Sequence, residues 1–555
     1  ETAAPAAADA TAAPAAEPVA SGEAGVFRIN LGGEPSTADP QVMSFSDEIT
    51  FGLLNYQPLM SFNLDLEAIP GAAESVEVSE DGTVYTFTLR PDSQYSDGSP
   101  LTAEDFEYAW KRLADPALAG NYQFIGCDLI AGFSEYAVTT CPDAEGNTAT
   151  VTDLETLDLE ALREGVGVNA VDESTLEITL EQATPYFPSI AAMWVGAPVR
   201  QSDVETADDW WYSPETYIGN GPFVLTEWDH ENRAVWEPNP NYNGPLGPVQ
   251  LQRIEFAMIT EGQVAFEAYR NGELDRVGLA REDLATVEGD ATLSAELGQE
   301  SPRYSFYIGY NTQIAPFDDV TVRQAFSYAI DREAFVTDVL GGLAVPAYTF
   351  IPPGIPGYLE GETPYDFDAD RAKEVLAEAG YANGEGLPEI KLTYGQSARN
   401  QTRFEFIANQ IRTNLGVEVT LDPIDPNAYS SLFDAPETTP QMFFLGWGPD
   451  FPDPQNYYST VFKTGTSSAA RTGFSSPAFD ELTVQADREP DPETRLELYK
   501  QASDILLEEA PVTFIYYDLV QVLTKPYVTG MGPDDTTPLD PFPGFYNLPN
   551  VTVAP

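Results

Sequence analysis

Ile390–Tyr394, Arg399–Leu415 and Val417–Leu421 read in order as strand, helix and strand. Strands joined through a helix pair in parallel, because only a hairpin returns the chain directly to an antiparallel neighbour. This part of the chain is therefore committed to α/β architecture, with a sheet that needs helices on its faces. The surrounding sequence supplies them. Val322, Phe326, Ala329-Ile330, Val336 and Val339-Leu340 predict a helix from about Val320 that Gly341-Gly342 stops. Asp368 opens another, which Gly380 closes. Two more begin at Ser476-Pro477 and Asp491-Pro492, where a capping side chain precedes a proline suited to the first helical position. Ala510-Pro511 ends the last, and Val512–Tyr517 reads as a buried strand.

The N-terminal half has a different texture. Val26–Leu31 predicts a strand and Phe45–Met60 a helix. Ser75–Val78 and Thr83–Arg90 predict a hairpin around Asp81-Gly82. Thr102 starts a helix with Asp105 at its third position, a capping-box arrangement, and Phe106, Ala109-Trp110 and Leu113 form its apolar face. A second hairpin spans Val166–Leu180 and turns at Asp172-Glu-Ser174. Strands follow at Tyr217–Trp228, Ala234–Tyr242 and Leu251–Ile259, then a short helix at Glu261–Asn271 and a strand at Tyr304–Asn311. At 555 residues the chain is too long for one core and points to three or four domains.

Acidic residues number 89 against 26 basic ones, for a net charge of −63. That balance excludes nucleic acid as a partner, which needs basic patches. It favours solubility and tolerance of salt. No window holds the roughly 18 apolar residues of a membrane-spanning helix. Residues 1–25 are nearly all Ala, Pro, Glu, Thr and Asp, and predict a disordered tether, with a removed signal and an anchor expected just upstream. A disordered start to a cytosolic protein is the alternative. Cys127 and Cys141 lie close together in a polar segment. In an acidic, extracellular type of chain they are expected to form a disulfide; in the cytosol they would stay free. Two cysteines and a single histidine make no zinc site.

Leu445–Tyr458 is the most informative stretch for function. An apolar strand, Met442–Leu445, ends at Gly446, and then Trp447, Gly448 and three prolines surround Asp450 and Asp453. Glycines at 446 and 448 permit close approach of another backbone, and the prolines stiffen the loop. The arrangement suits a small site for a cation beside an apolar wall. An ordinary proline-rich turn with Trp447 in the core would use the same residues.

Six segments together resemble the extracellular solute-binding proteins of ABC importers, the large oligopeptide- and dipeptide-binding family. They are Tyr85–Arg90, Ser96–Phe106 with Ala109–Arg112, Gly219–Phe223, Asn239–Tyr242, Val322–Arg332 and the Trp447 loop. The resemblance covers the chain from about residue 26 onward. It implies an α/β, two-lobed periplasmic-binding-protein-like fold with two hinge crossings and an extra subdomain on lobe one. The implied boundaries are 26–58 and 185–310 for lobe one, 59–184 for the extra subdomain, 311–511 for lobe two, and 512–555 for the return to lobe one. Asp450 matches the acid that accepts a peptide's α-ammonium in peptide-binding members. Gly446, Trp447 and Gly448 would line the peptide main chain, with Tyr310, Asn311 and Tyr457 nearby. Some relatives hold the carboxylate of a short peptide with an Arg before the Gly-Trp pair. Here that position reads Phe443-Phe444, so Arg399 or Arg403 would have to replace it. The implied partners are a peptide and the permease subunits of an importer, with a lipid anchor as the membrane link and no cofactor. The chain is expected to act as a monomer outside the cell or in the periplasm.

Two other functions deserve weighing. The same fold could hold an oligosaccharide or another small ligand, with Trp447, Tyr457 and Tyr458 as stacking surfaces. A secreted hydrolase needs a nucleophile–base pair, and His230 sits in a polar, turn-like Asp229-His-Glu-Asn232 with nothing resembling a triad around it. No phosphate-binding Gly-x-x-x-x-Gly-Lys-Ser/Thr motif is present, so the chain is not the importer's ATPase.

Overall fold

Two large sheets and one small one organise the chain in a computed structural model that describes residues 23–118, 120–141, 148–299, 304–433, 438–531 and 547–554. Most of the tether, residues 1–22, lies outside them. Lobe one is built on a seven-stranded sheet. Its order is Leu297–Gln299, Gln521–Thr524, Arg276–Gly278, Val26–Asn30, Arg253–Ala257, Arg233–Pro238 and Phe223–Asp229. Lobe two is built on a six-stranded sheet: Ala344–Pro346, Val512–Asp518, Ser305–Tyr310, Met442–Trp447, Ile390–Gly395 and Val419–Ile424. The βαβ unit is there as expected. Ile390–Gly395 and Val419–Ile424 pair in parallel, and the helix Ala398–Leu415 joins them, closed by Gly416 at φ +73°.

The extra subdomain is a four-stranded antiparallel sheet, Ala73–Val78, Val84–Leu89, Thr175–Thr179 and Val168–Asp172, made of the two predicted hairpins. Gly82 supplies the positive φ of the first turn, +72°. The helix Ala103–Leu113 covers this sheet. Its capping box forms, with the Thr102 N–H and hydroxyl both donating to Asp105. Phe106, Trp110 and Leu113 share one buried cluster with Tyr85, Phe87, Leu89, Leu176 and Ile178. Cys127 and Cys141 are bridged, with Cα atoms 5.5 Å apart.

The structure differs from the sequence reading in three places. The sheets do not divide the chain at 310/311 and 511/512. Ser305–Tyr310 and Val512–Asp518 are antiparallel partners inside lobe two, and Leu297–Gln299 and Gln521–Thr524 are antiparallel partners inside lobe one. The chain therefore changes sheets between Gln299 and Ser305, and again at Leu519-Val520. An apolar strand reads the same whichever sheet receives it, so its sequence could not place it in a lobe. Second, the helix expected over 45–60 covers only Ser46–Asn55. Tyr56 is already extended at φ −126° and ψ 142°, and Pro58 disfavours helix at the residue before it. Third, the helix expected from Val320 stops at Tyr328, and Asp331 caps a new segment at Arg332. The Arg332 guanidinium is turned inward there. It donates to the carbonyls of Phe514 (2.7 Å), Tyr365 (2.9 Å), Ser327 and Ile330 (both 3.3 Å), and burial pushes its pKa down to about 10.

Candidate ligand-binding site

Met442–Trp447 lies inside the lobe two sheet and sets the geometry of the site. It pairs antiparallel with Ser305–Tyr310, Trp447 opposite Ser305 and Met442 opposite Tyr310. On its other edge the parallel ladder to Ile390–Gly395 stops at Phe443. Phe444 points its backbone groups to that edge. The Tyr429 hydroxyl accepts from its N–H (3.2 Å) and donates to its C=O (2.6 Å). Backbone direction alternates along an antiparallel strand, so the Gly446 N–H and C=O face the same edge two residues on.

The two glycines make room for the chain's own rings. A Cβ on Gly446 would strike the Phe306 ring, and one on Gly448 the Tyr304 ring. In the Cβ direction, the close approach at these glycines is made by the chain's own aromatic side chains. Phe306 stacks on Phe444 (5.6 Å, 7°) and on Tyr516 (4.7 Å, 16°). The Arg403 guanidinium lies 5.6 Å from the centre of the Tyr516 ring. Arg403 donates to the Asn400 side chain at 3.2 Å and forms no ion pair among the described residues. Burial pulls its pKa down, and neighbouring Arg399 pulls in the same direction. Arg399 itself is exposed on the first turn of the helix.

Beyond Trp447 the loop carries its two acids to separate tasks. Asp453 caps the helix Pro454–Phe462 by accepting from the Gln455 N–H at 2.9 Å. It is also held by both Arg495 terminal nitrogens, at 2.6 and 2.7 Å, with each side chain 11% exposed. Asp450 faces the other lobe. One carboxylate oxygen accepts from the Tyr122 hydroxyl at 2.9 Å and the other from the Asn456 side-chain amide at 3.1 Å. Its own N–H donates to the Asn456 side-chain oxygen at 2.9 Å. Burial pushes the Asp450 pKa up, against the pull of the two hydrogen bonds. A carboxylate has roughly four acceptor positions, so about two remain for a cationic donor.

Tyr122 was not foreseen. It lies 328 residues from Asp450 in the chain, in no periodic pattern, and only tertiary structure brings them together. Conversely, Tyr310 and Asn311 are remote from this end of the strand. Five residues of strand separate Tyr310 from Ser305, about 16 Å. Tyr310 is fully buried with its hydroxyl on Thr513 (2.7 Å), and Asn311 donates to the Thr439 carbonyl (3.1 Å). Tyr457 is also fully buried, its ring edge-on to Phe350 at 5.2 Å. All three are core residues of lobe two. Trp447 is half-buried, packed against the same lobe's core, and its indole nitrogen has no hydrogen-bond partner among the described residues.

Residues 67–469 match the family described as bacterial extracellular solute-binding proteins, family 5. The chain belongs to this family. This solute-binding protein is 31% identical over 505 residues to the oligopeptide-binding protein OppA of Bacillus subtilis (strain 168), covering 88% of this chain and 87% of that one. The dipeptide-binding protein DppE of the same organism is 30% identical over 510 residues, covering 89% and 86%. Among solved structures, the periplasmic murein tripeptide-binding protein MppA in an unliganded open form superposes with a TM-score of 0.78 at 26% identity, covering 96% and 98% of the two chains. The structure of the Escherichia coli murein tripeptide-binding protein MppA gives 0.70 at 26% identity, covering 96% and 98%.

Proposed function

We propose that this solute-binding protein captures peptides between its two lobes and delivers them to the membrane permease of an ABC importer. Asp450 carries the reading. It is a carboxylate on a loop stiffened by prolines, with acceptor positions to spare and a pKa that burial has raised. A ligand ammonium would relieve that cost through charge-assisted hydrogen bonds. The Gly446 edge beside it suits main-chain pairing with an extended peptide, as an added strand would pair. At the other end, the Arg403 guanidinium, with exposed Arg399 beside it, is suited to a carboxylate. The relatives named for oligopeptides, dipeptides and murein peptides support the same chemistry.

The site works outside the membrane. Among the described residues no helix is long and apolar enough to cross one, and a lipid anchor upstream of the tether would hold a monomer near its permease. Binding rather than hydrolysis fits the lone histidine as well. His230 Nδ1 sits 2.6 Å from Glu34, and the ring stacks on Tyr212 at 4.1 Å, with no nucleophile in the group. Native mass spectrometry of freshly purified protein, with extraction of any bound ligand, tests the proposal, followed by calorimetry with tri- and tetra-alanine. Extraction of a neutral sugar, with neither peptide bound at millimolar concentration, would overturn it.

A further inference from the structure

Phe451, the residue after Asp450, is out of place in its own lobe. It is 1% exposed, and every other member of its buried cluster lies between Met43 and Val195, in lobe one and the extra subdomain. Its ring stacks on Tyr186 at 6.0 Å with the planes 5° apart. Arg495, which grips Asp453, lies 5.5 Å over the same Tyr186 ring. In the opposite direction, Leu66 of the extra subdomain packs on a buried cluster of lobe two. Asp450 itself accepts from Tyr122 across the same boundary. Asp450 and Phe451 are therefore seated on lobe one although the strand and helix on either side of them belong to lobe two.

A hinge needs a line, and the strands that flank the two crossings pair side by side, which fixes only one end of it. We infer that Phe451 in its Tyr186 socket is the other end, a pivot that keeps Asp450 beside Tyr122 while the lobes swing. Withdrawing a buried aromatic ring exposes some 150–250 Å² of apolar surface, whereas rotation about it exposes little. Displacement in a rigid rotation grows with distance from the axis, so Asp450, one residue from the pivot, moves least. Phe451 and Tyr186 are thus positioning residues for Asp450. The functional consequence rests on the proposal that Asp450 takes a ligand ammonium: the amine end of the site is assembled before closure, and closure brings up the remainder.

Two spin-label pairs test this, with the native cysteines already bridged so that only introduced thiols react. Asn121→Cys with Thr464→Cys reports on the pivot, and Asn232→Cys with Lys373→Cys on the lobes at large. The pivot pair is expected to give one narrow distance distribution, unchanged by tri-alanine, while the remote pair shifts. Phe451→Ala, checked for native circular dichroism, is expected to broaden the pivot pair about twofold. It should also cut the preference for free over N-acetylated tri-alanine about tenfold, since a loosened site loses its alignment. A pivot pair as broad as the remote pair in the unsubstituted protein, or unaffected by Phe451→Ala, would overturn the pivot. Failure of tri-alanine to bind would instead count against the peptide reading, and the label distances in the protein alone would still decide the pivot.

Discussion

Replacing Asp450 with Asn isolates the charge from the shape of the site. Asn keeps the volume and one acceptor oxygen, so the Tyr122 or the Asn456 hydrogen bond can survive, but not both charge-assisted contacts. A peptide ammonium would then sit in a pocket where burial is strong enough to raise a carboxylate's pKa, without its counter-charge. Truncating one member of a buried ion pair costs about 2–5 kcal/mol, much of it the penalty on the orphaned partner. Asp450 is half-buried by exposed surface and already shares its oxygens with two donors, which places the expectation at the lower end, about 2–3 kcal/mol. At about 1.4 kcal/mol per tenfold, the dissociation constant for tri-alanine should rise roughly thirty- to a hundred-and-fifty-fold. N-acetyl-tri-alanine should bind the unsubstituted protein that much more weakly and lose little more on substitution. Calorimetry at fixed ionic strength measures all four combinations, and the non-additivity is the ammonium–carboxylate coupling. Equal affinity of free and acetylated peptide for the unsubstituted protein would refute the reasoning and move a neutral ligand to first place.

The raised Asp450 pKa also sets a pH dependence. An ammonium beside the carboxylate favours its ionised form, so affinity should be full above the free-protein pKa and fall about tenfold per pH unit below it. Asp450→Asn should flatten that profile in calorimetric titrations. By the same linkage, ionised Asp450 weakens the folded protein at neutral pH, so Asp450→Asn should melt higher than the unsubstituted protein without peptide. Arg495→Met leaves Asp453 buried with only its helix-cap donor. It should cost about 3–5 kcal/mol in urea unfolding, and adding Asp453→Asn should recover part of that. Reduction of Cys127–Cys141, 14 residues apart, should remove about 3 kcal/mol and lower the melting temperature, read by thermal scans with and without reductant. With a net charge of −63, the melting temperature should climb as sodium chloride rises toward about 1 M, where the screening length falls to about 3 Å.

Local patterns carried most of the fold. The βαβ unit, both hairpins of the extra subdomain and the Thr102 capping box are set by residues within one element or one turn, and each formed where its sequence placed it. Membership of a sheet is not local. Ser305–Tyr310 and Val512–Asp518 are buried strands in either lobe's idiom, and the partner that decides between lobes is some 200 residues away. The same division runs through the site. Asp450 and Asp453 were legible because glycines, prolines and a helix start crowd around them, and Asp453 shapes the turn as a cap. Tyr310, Asn311 and Tyr457 were chosen for proximity in sequence and turned inward, because strand alternation and helix face decide direction. Tyr122 and Phe451 matter through contacts between lobes, for which a single sequence has no periodic signal.

The pairing of Tyr304 with Asp518 has a consequence for how the chain becomes a protein. The Tyr304 N–H donates to the Asp518 carboxylate at 2.9 Å, and the Asp518 N–H to the Tyr304 carbonyl at 3.1 Å. Lobe two is therefore one uninterrupted stretch of chain whose ends meet, and a stretch of that kind can complete its core as a unit. Lobe one cannot. Gln521–Thr524 fills a slot between Arg276–Gly278 and Leu297–Gln299, so the sheet begun by Val26–Asn30 stays open until more than two hundred later residues have been made. During synthesis or export the lobe that starts first finishes last, holding an exposed strand edge on each side of that slot. A fragment spanning 304–518 should fold without the rest, whereas one ending before 521 should keep a native second lobe and an aggregation-prone first one.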